Sequence, residues 1–260
     1  MIRKIIEFII SVFTYKEEKT SSKTEQVVEE PKIEVIEEEI KEEPIINQVE
    51  NNIETTPKEI YKMLTNKERQ TYLKKLGLYT KSIDNIRGSG QKKAEKQFNI
   101  IFLNKSNDTY TEETDKLLRK IYKSYVASPY MVSTDWKYFK NFKSSEFYCK
   151  CKKKYCDGWN GLRDKIPMKL LMALQYVRNY YDKPVTLTST VRCKTHNAKV
   201  GGVSKSKHME FKASDFTFSG IKTSEVVKLI YTGSNKLPFV NYSYTNSTNM
   251  KNSVHVDVKI

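Results

Sequence analysis

The three histidines of the chain, His196, His208 and His255, all fall in its last quarter. His208 stands in SKSKHMEFKASDF, seven residues before Asp215, and His255 stands in the closing segment SVHVDV. A seven-residue gap suits a turn or loop between two strands whose ends face one cavity. His255 can join that pair only through the fold. Two imidazoles and one carboxylate make an open tetrahedral site for zinc (Zn2+), with the fourth position left to water. Such a metal lowers the pKa of water and polarises a carbonyl, so the chemistry implied is hydrolysis.

A second group of metal-ligating residues is separate from the histidines. Cys149, Cys151 and Cys156 follow one another closely, and Cys193 comes later. Their spacing is not the usual two-residue zinc knuckle. Three readings stand: reduced structural thiols, a Cys-bound metal, or one disulfide. Lys150, Lys152, Lys153 and Lys154 lie among them and favour thiolate forms electrostatically. The same lysines suit an anionic polymer.

The elements that must position these residues are legible as patterns. Ile166-Pro167 opens a helix that runs to about Tyr181, with Leu170, Leu171, Leu174 and Val177 on its core face. Pro184 to Thr190 alternates as a half-buried strand, and Thr223 to Tyr231 reads as a second helix. Two strands, about Phe239–Tyr244 and Ser253–Lys259, close the chain. Helices with a small, mostly antiparallel sheet make an α+β arrangement over residues 139–260.

Upstream lies a small all-α unit, residues 56–126. Thr56 caps a first helix, with Pro57 at its first position, Glu59 completing a capping box and Gly77 as the stop. Ile60, Leu64, Tyr72, Leu73 and Leu76 form its apolar face. A second helix spans about Gln91 to Asn99 and a third about Glu112 to Tyr125. The run LGLYTKSIDNIRGSGQKKAEKQFN, followed by DTYTEETDKLL, resembles the peptidoglycan-binding three-helix domain of wall hydrolases. Leu76, Gly77, Tyr79, Ile83, Asp84, Gly88, Ala94, Phe98, Asp108, Thr114 and Leu117 fall on that pattern, while Asn85 and Thr109 replace its usual glycines.

The segment PVTLTSTVRCKTHNAKVGGVSKSKHMEFKASDF is similar to the zinc D-alanyl-D-alanine peptidase family, whose fold is shared with the hedgehog signalling domain. Ser189, Arg192, His196, Asn197, Gly201, Gly202, Ser206, His208, Ala213, Asp215 and His255 match it, and the opening FKSSEFYCKC resembles the phage endolysin branch. The resemblance implies zinc ligands at His208, Asp215 and His255. It also implies that Arg192 holds a substrate carboxylate or the developing oxyanion, a task suited to a planar, permanently charged guanidinium. Ser206 would line the site. Phe211 replaces the family's Gly, so the loop must bend differently or present an aromatic wall. Where the family places a general base before its last ligand, this chain has Asn252 and Ser253. Asp257, at i+2 from His255 on the same face of a strand, is then the base or a carboxylate orienting a ligand, with Glu210 more remote.

The remaining chain bears on partners. Residues 1–60 hold eight Lys+Arg and fifteen Glu, a net of −7, and the whole chain carries +15, which leaves +22 for the other 200 residues. A basic body is drawn to nucleic acid, an anionic membrane surface or an anionic cell wall. The opening MIRKIIEFIISVF reads as an amphipathic segment over residues 1–14 that docks to a membrane or a protein, and as a poor secretory signal. Residues 15–55 read as a disordered acidic linker. No apolar run approaches about 18 residues, which excludes a conventional membrane-spanning helix. The expectation is a modular, zinc-dependent peptidoglycan peptidase acting at the bacterial cell wall, phage-encoded or secreted, cutting as a D-Ala-D-Ala carboxypeptidase or an L-Ala–D-Glu endopeptidase. The alternative is an inactive wall-binding protein that retains the zinc fold. No nucleic-acid partner is expected, because no named nucleic-acid motif is present.

Overall fold

The computed structural model describes residues 61–159, 161, 164–245 and 252–260. The expected N-terminal segment, the acidic linker and the cap at Thr56 with Glu59 lie outside the described residues. From Tyr61 onward the described residues belong to one compact unit.

Three helices come first: α1 (Asn66–Lys75), α2 (Ser89–Leu103) and α3 (Glu112–Ala127). The first is shorter than the sequence suggests. Residues 61–65 are not helical, and α1 starts ten residues after Thr56 because a complete capping box forms at Thr65. Thr65 Oγ1 accepts from Glu68 N at 3.2 Å, while Glu68 Oε2 accepts from Thr65 N at 2.8 Å. The preceding residues are held extended by the buried Asp115 of α3. Its carboxylate accepts from Leu64 N, Tyr61 Oη, Tyr110 Oη and Arg119 Nε at 2.5–2.8 Å. Gly77, at φ +81°, ends α1 as expected. Asn85, which takes the place of a glycine, is left-handed at φ 63°, a conformation asparagine tolerates well.

The second part is built on α4 (Met168–Tyr181), buried from Leu170 to Val177 and partly exposed in its last turn. It covers a four-stranded antiparallel sheet of order β1-β2-β4-β3, with β1 Thr186–Ser189, β2 Ala213–Thr217, β3 Val240–Thr245 and β4 Val254–Val258. Between β1 and β2 lie the short α5 (Lys194–Lys199) and a 3-10 turn at Lys207–Glu210. Between β2 and β3 lies α6 (Thr223–Val227), which continues as a π turn to Thr232. The strand β2, α5 and the 3-10 turn carry too little periodicity to be read from the sequence. The helical layer rests on this part: α2 packs on α4, Gln97 Nε2 donates to Asn235 O and Lys236 O, and Asn179 Nδ2 donates to Ile100 O.

Strand β4 shows how the sheet makes a site. All five of its residues are buried, although they alternate Val-His-Val-Asp-Val. Val254, Val256 and Val258 share one face with period two, and His255 and Asp257 share the other. The register then sets Ser189 of β1 opposite Asp215 of β2, Asp215 opposite His255 of β4, and His255 opposite Tyr244 of β3. One row of four residues thus crosses the whole sheet. A bulge beside Ser189 and another between Val240 and Tyr242 flank this row.

Phe211 has a definite place in the structure. Where the family pattern has Gly, Phe211 takes a left-handed backbone, φ 60°, at the end of the 3-10 turn. Its ring is buried and stacked on Trp159, with centroids 6.3 Å apart and planes 3° from parallel. The aromatic is an internal prop, and its burial offsets the backbone cost of a non-glycine residue at that φ. This arrangement predicts an inverted order of substitutions. Phe211→Ala should lower unfolding free energy by about 3–5 kcal/mol, whereas Phe211→Gly should cost roughly 1 kcal/mol less because it removes the strain. Urea denaturation of the two variants measures the difference, and an alanine variant more stable than the glycine one would contradict the account.

Candidate metal centre

His208 sits in the 3-10 turn, Asp215 in the middle of β2 and His255 in β4, and all three are buried. The turn is fastened to the segment after β1 by Arg192 N donating to His208 O at 3.0 Å. His208 Nε2 lies 3.2 Å from Asp215 Oδ1, His255 Nδ1 lies 2.8 Å from the same oxygen, and the two ring nitrogens are 3.3 Å apart. Ligand atoms about 2.0–2.1 Å from a tetrahedral zinc are separated by about 3.3 Å. The donor set and its spacing therefore fit that ion.

The outer bonds of each imidazole settle which nitrogen faces inward. His208 Nδ1 is 2.5 Å from Thr190 O, and a carbonyl can only accept. Nδ1 therefore carries the proton and Nε2 offers a lone pair. His255 is flanked by carboxylates on both sides, with Nε2 3.4 Å from Asp257 Oδ2 and Nδ1 2.8 Å from Asp215 Oδ1; a cation at the centre would take the Nδ1 lone pair and leave the Nε2 proton to Asp257. Asp257 is itself steadied by Asn241 Nδ2, which donates to Oδ1 at 2.8 Å. Two ring nitrogens and a carboxylate oxygen thus converge in a buried space, an arrangement that needs a cation or a proton among them. Burial alone would favour neutral His255, but Asp215 and Asp257 outweigh it and raise its pKa. Burial likewise opposes ionisation of Asp215, and the two histidines overcome it and hold the carboxyl below the usual range.

The other site residues take definite places. Arg192 donates from Nε to Ser189 Oγ at 2.8 Å and from Nη2 to Asp215 Oδ2 at 2.5 Å. Asp215 therefore divides its oxygens, Oδ1 toward the imidazoles and Oδ2 toward the guanidinium. Arg192, Ser206 and Asp257 line an open cleft of about 760 Å³ together with the three converging residues. Gly202 shapes its edge: a Cβ there would meet Asn197 Oδ1 at 2.1 Å, so only glycine lets the loop pass. Glu210 is taken up by Lys207 and Lys212 at 2.9 and 2.8 Å and is not among the cleft-lining residues described. His196 is in α5, and it too is absent from the described lining.

Sequence reading missed two residues that line the cleft, Tyr242 and Tyr244. They sit opposite Asp257 and His255 in the β3–β4 register, and the Tyr244 ring centroid is 5.0 Å from that of His255. Burial and the nearby Asp215 raise the Tyr244 pKa, so its O–H stays protonated at neutral pH. Their i, i+2 spacing was the available signal, but it acquires meaning only once the strand partner is known.

Two outcomes follow. A metal must displace the proton that His255 holds with raised affinity, so zinc affinity should fall about tenfold per pH unit below the pKa of His255. Competition with a chromophoric chelator between about pH 5 and about pH 8 reads this slope; a flat profile would count against His255 as a ligand. If Asp257 orients His255, Asp257→Ala should weaken zinc binding by about 10–100-fold. Unchanged affinity with turnover lost would instead make it the general base.

Comparison with curated proteins gave no match to this chain. Residues 140–257 match the family model described as Peptidase M15. That span contains the sheet, the cleft and every residue that converges there, and a metallopeptidase activity accords with the donor set. Over this span the chain is similar to the M15 peptidases.

Proposed function

We propose that the protein is a peptidoglycan hydrolase of the endolysin type, cutting an amide bond of the cell-wall stem peptide with zinc held by His208, Asp215 and His255. The reading rests on the convergence of these three lone pairs in a cleft open to solvent. When bound, zinc supplies a Lewis acid that polarises the scissile carbonyl and makes water nucleophilic near neutral pH.

The chain's own residues contribute binding and orientation. Arg192, Lys205 and Lys207 give the cleft a cationic lining, which favours a peptide bearing free carboxylates. Arg192 is pinned through two of its five N–H donors and can direct others at a substrate carboxylate or a developing oxyanion. Tyr244 offers a protonated hydroxyl, and Ser206 lines the wall beside His208. The bond cut is D-Ala–D-Ala or L-Ala–D-Glu. The three-helix layer would hold peptidoglycan, the N-terminal segment would dock to a membrane or another protein, and the source would be a phage or a bacterium that secretes the enzyme.

One observation favours a second reading, a wall-binding protein without activity. The acidic residues among the described cleft lining are Asp215 and Asp257, and both are engaged with histidines. No third carboxylate among them is placed to take a proton from water. Metal content and muropeptide digestion, measured on wild type and His208→Ala, separate the readings. The peptidase predicts that the variant loses one equivalent of zinc and that amine release from purified walls falls to background. A zinc-replete wild type that releases no amines establishes the binding protein instead.

A further inference from the structure

The cysteines form a cluster that the hydrolytic centre does not use. Cys149, Cys151, Cys156 and Cys193 bring their four sulfurs within 4.8 Å of one another, with Cys151 and Cys156 Sγ 3.5 Å apart. Sulfurs at about 2.3 Å from a tetrahedral zinc are about 3.8 Å apart. We infer that these four cysteines bind a second, structural zinc ion as a tetrathiolate.

Three features separate this from ordinary buried thiols or a disulfide. A disulfide would join two sulfurs and give the other two no reason to converge. Each sulfur also receives a backbone N–H, the bonding that thiolates ask for. Cys193 N donates to Cys149 at 3.3 Å, Gly158 N to Cys156 at 3.3 Å and His196 N to Cys193 at 3.4 Å. Cys151 faces the backbone N–H groups of Tyr155 and Cys156. Finally, the link between Cys151 and Cys156 turns through two consecutive left-handed lysines, Lys152 at φ 54° and Lys153 at φ 61°, closed by Lys154 N to Cys151 O at 3.0 Å. Turns of this kind are usually made by Asn and Gly. A metal that clamps both ends of the turn accounts for lysines in it.

Charge is also consistent. Four thiols give up four protons on binding one Zn2+, leaving a centre of net −2, and Lys150, Lys152, Lys153 and Lys154 lie in the loop that carries three of its ligands. The consequence for the M15 domain is positional. The fourth ligand, Cys193, follows Arg192 directly and caps α5, so the centre ties the 149–156 loop to the segment that carries the cleft arginine.

The test uses the full chain, reduced, with zinc and with cobalt(II) as probes. Native mass spectrometry of wild type should show two zinc ions per chain, and His208→Ala should retain one. Cobalt-substituted His208→Ala should display thiolate-to-cobalt charge-transfer bands and the intense visible absorption of a tetrahedral site. Cys156→Ser, at the least buried position, should lose those bands and one zinc while keeping the ion at His208. A His208→Ala protein that folds by circular dichroism yet carries no metal would overturn the inference. So would a Cys151–Cys156 disulfide in freshly purified protein, or cobalt spectra without thiolate bands.

Discussion

Strand register is the constraint on which the site depends. Ser189, Asp215, His255 and Tyr244 occupy one row across four antiparallel strands. Because side chains alternate with period two, a slip of one residue in β4 would send His255 and Asp257 against α4 and bring Val256 into the cleft. The valines prevent this. Val254, Val256 and Val258 are buried against the helical layer, so the apolar face of β4 chooses the register and the polar face inherits its place.

A cost follows from that choice. The sheet and the 3-10 turn bury two imidazoles and a carboxylate and leave them facing one another. Around them the outer bonds are complete. Thr190 O, Asp257 and Arg192 each fix one member, so none of the three can turn away to find a donor elsewhere. A rigid frame around an unsatisfied centre is the condition for holding a cation tightly. The same frame explains why Arg192 is both a wall of the cleft and a partner of Asp215.

Elsewhere two non-glycine residues take backbone shapes that favour glycine. Asn85 and Phe211 stand where glycine is usual in the patterns this chain resembles, and both have positive φ. Asparagine tolerates this cheaply, and its Oδ1 also accepts from Lys67 N near the start of α1. Phenylalanine tolerates it only because Trp159 covers its ring.

The local signals in the sequence were strong for α4, for the closing strands and for the residue types of the metal centre. Apolar repeats and alternation depend on nearest neighbours, and the pattern of Ser189, Arg192, His208, Asp215 and His255 survives as an ordered series. Among the described residues α1 starts only at Asn66, because a capping box forms at Thr65, next to residues tied to Asp115. Tyr242 and Tyr244 were silent for a similar reason: their role comes from the strand beside them. Sequence alone determined which groups could carry the chemistry, since that depends on side-chain type and order. Tertiary structure alone decided which atoms face each other, because register, tautomer and the closure of the cysteine loop are set by contacts between residues far apart in the chain.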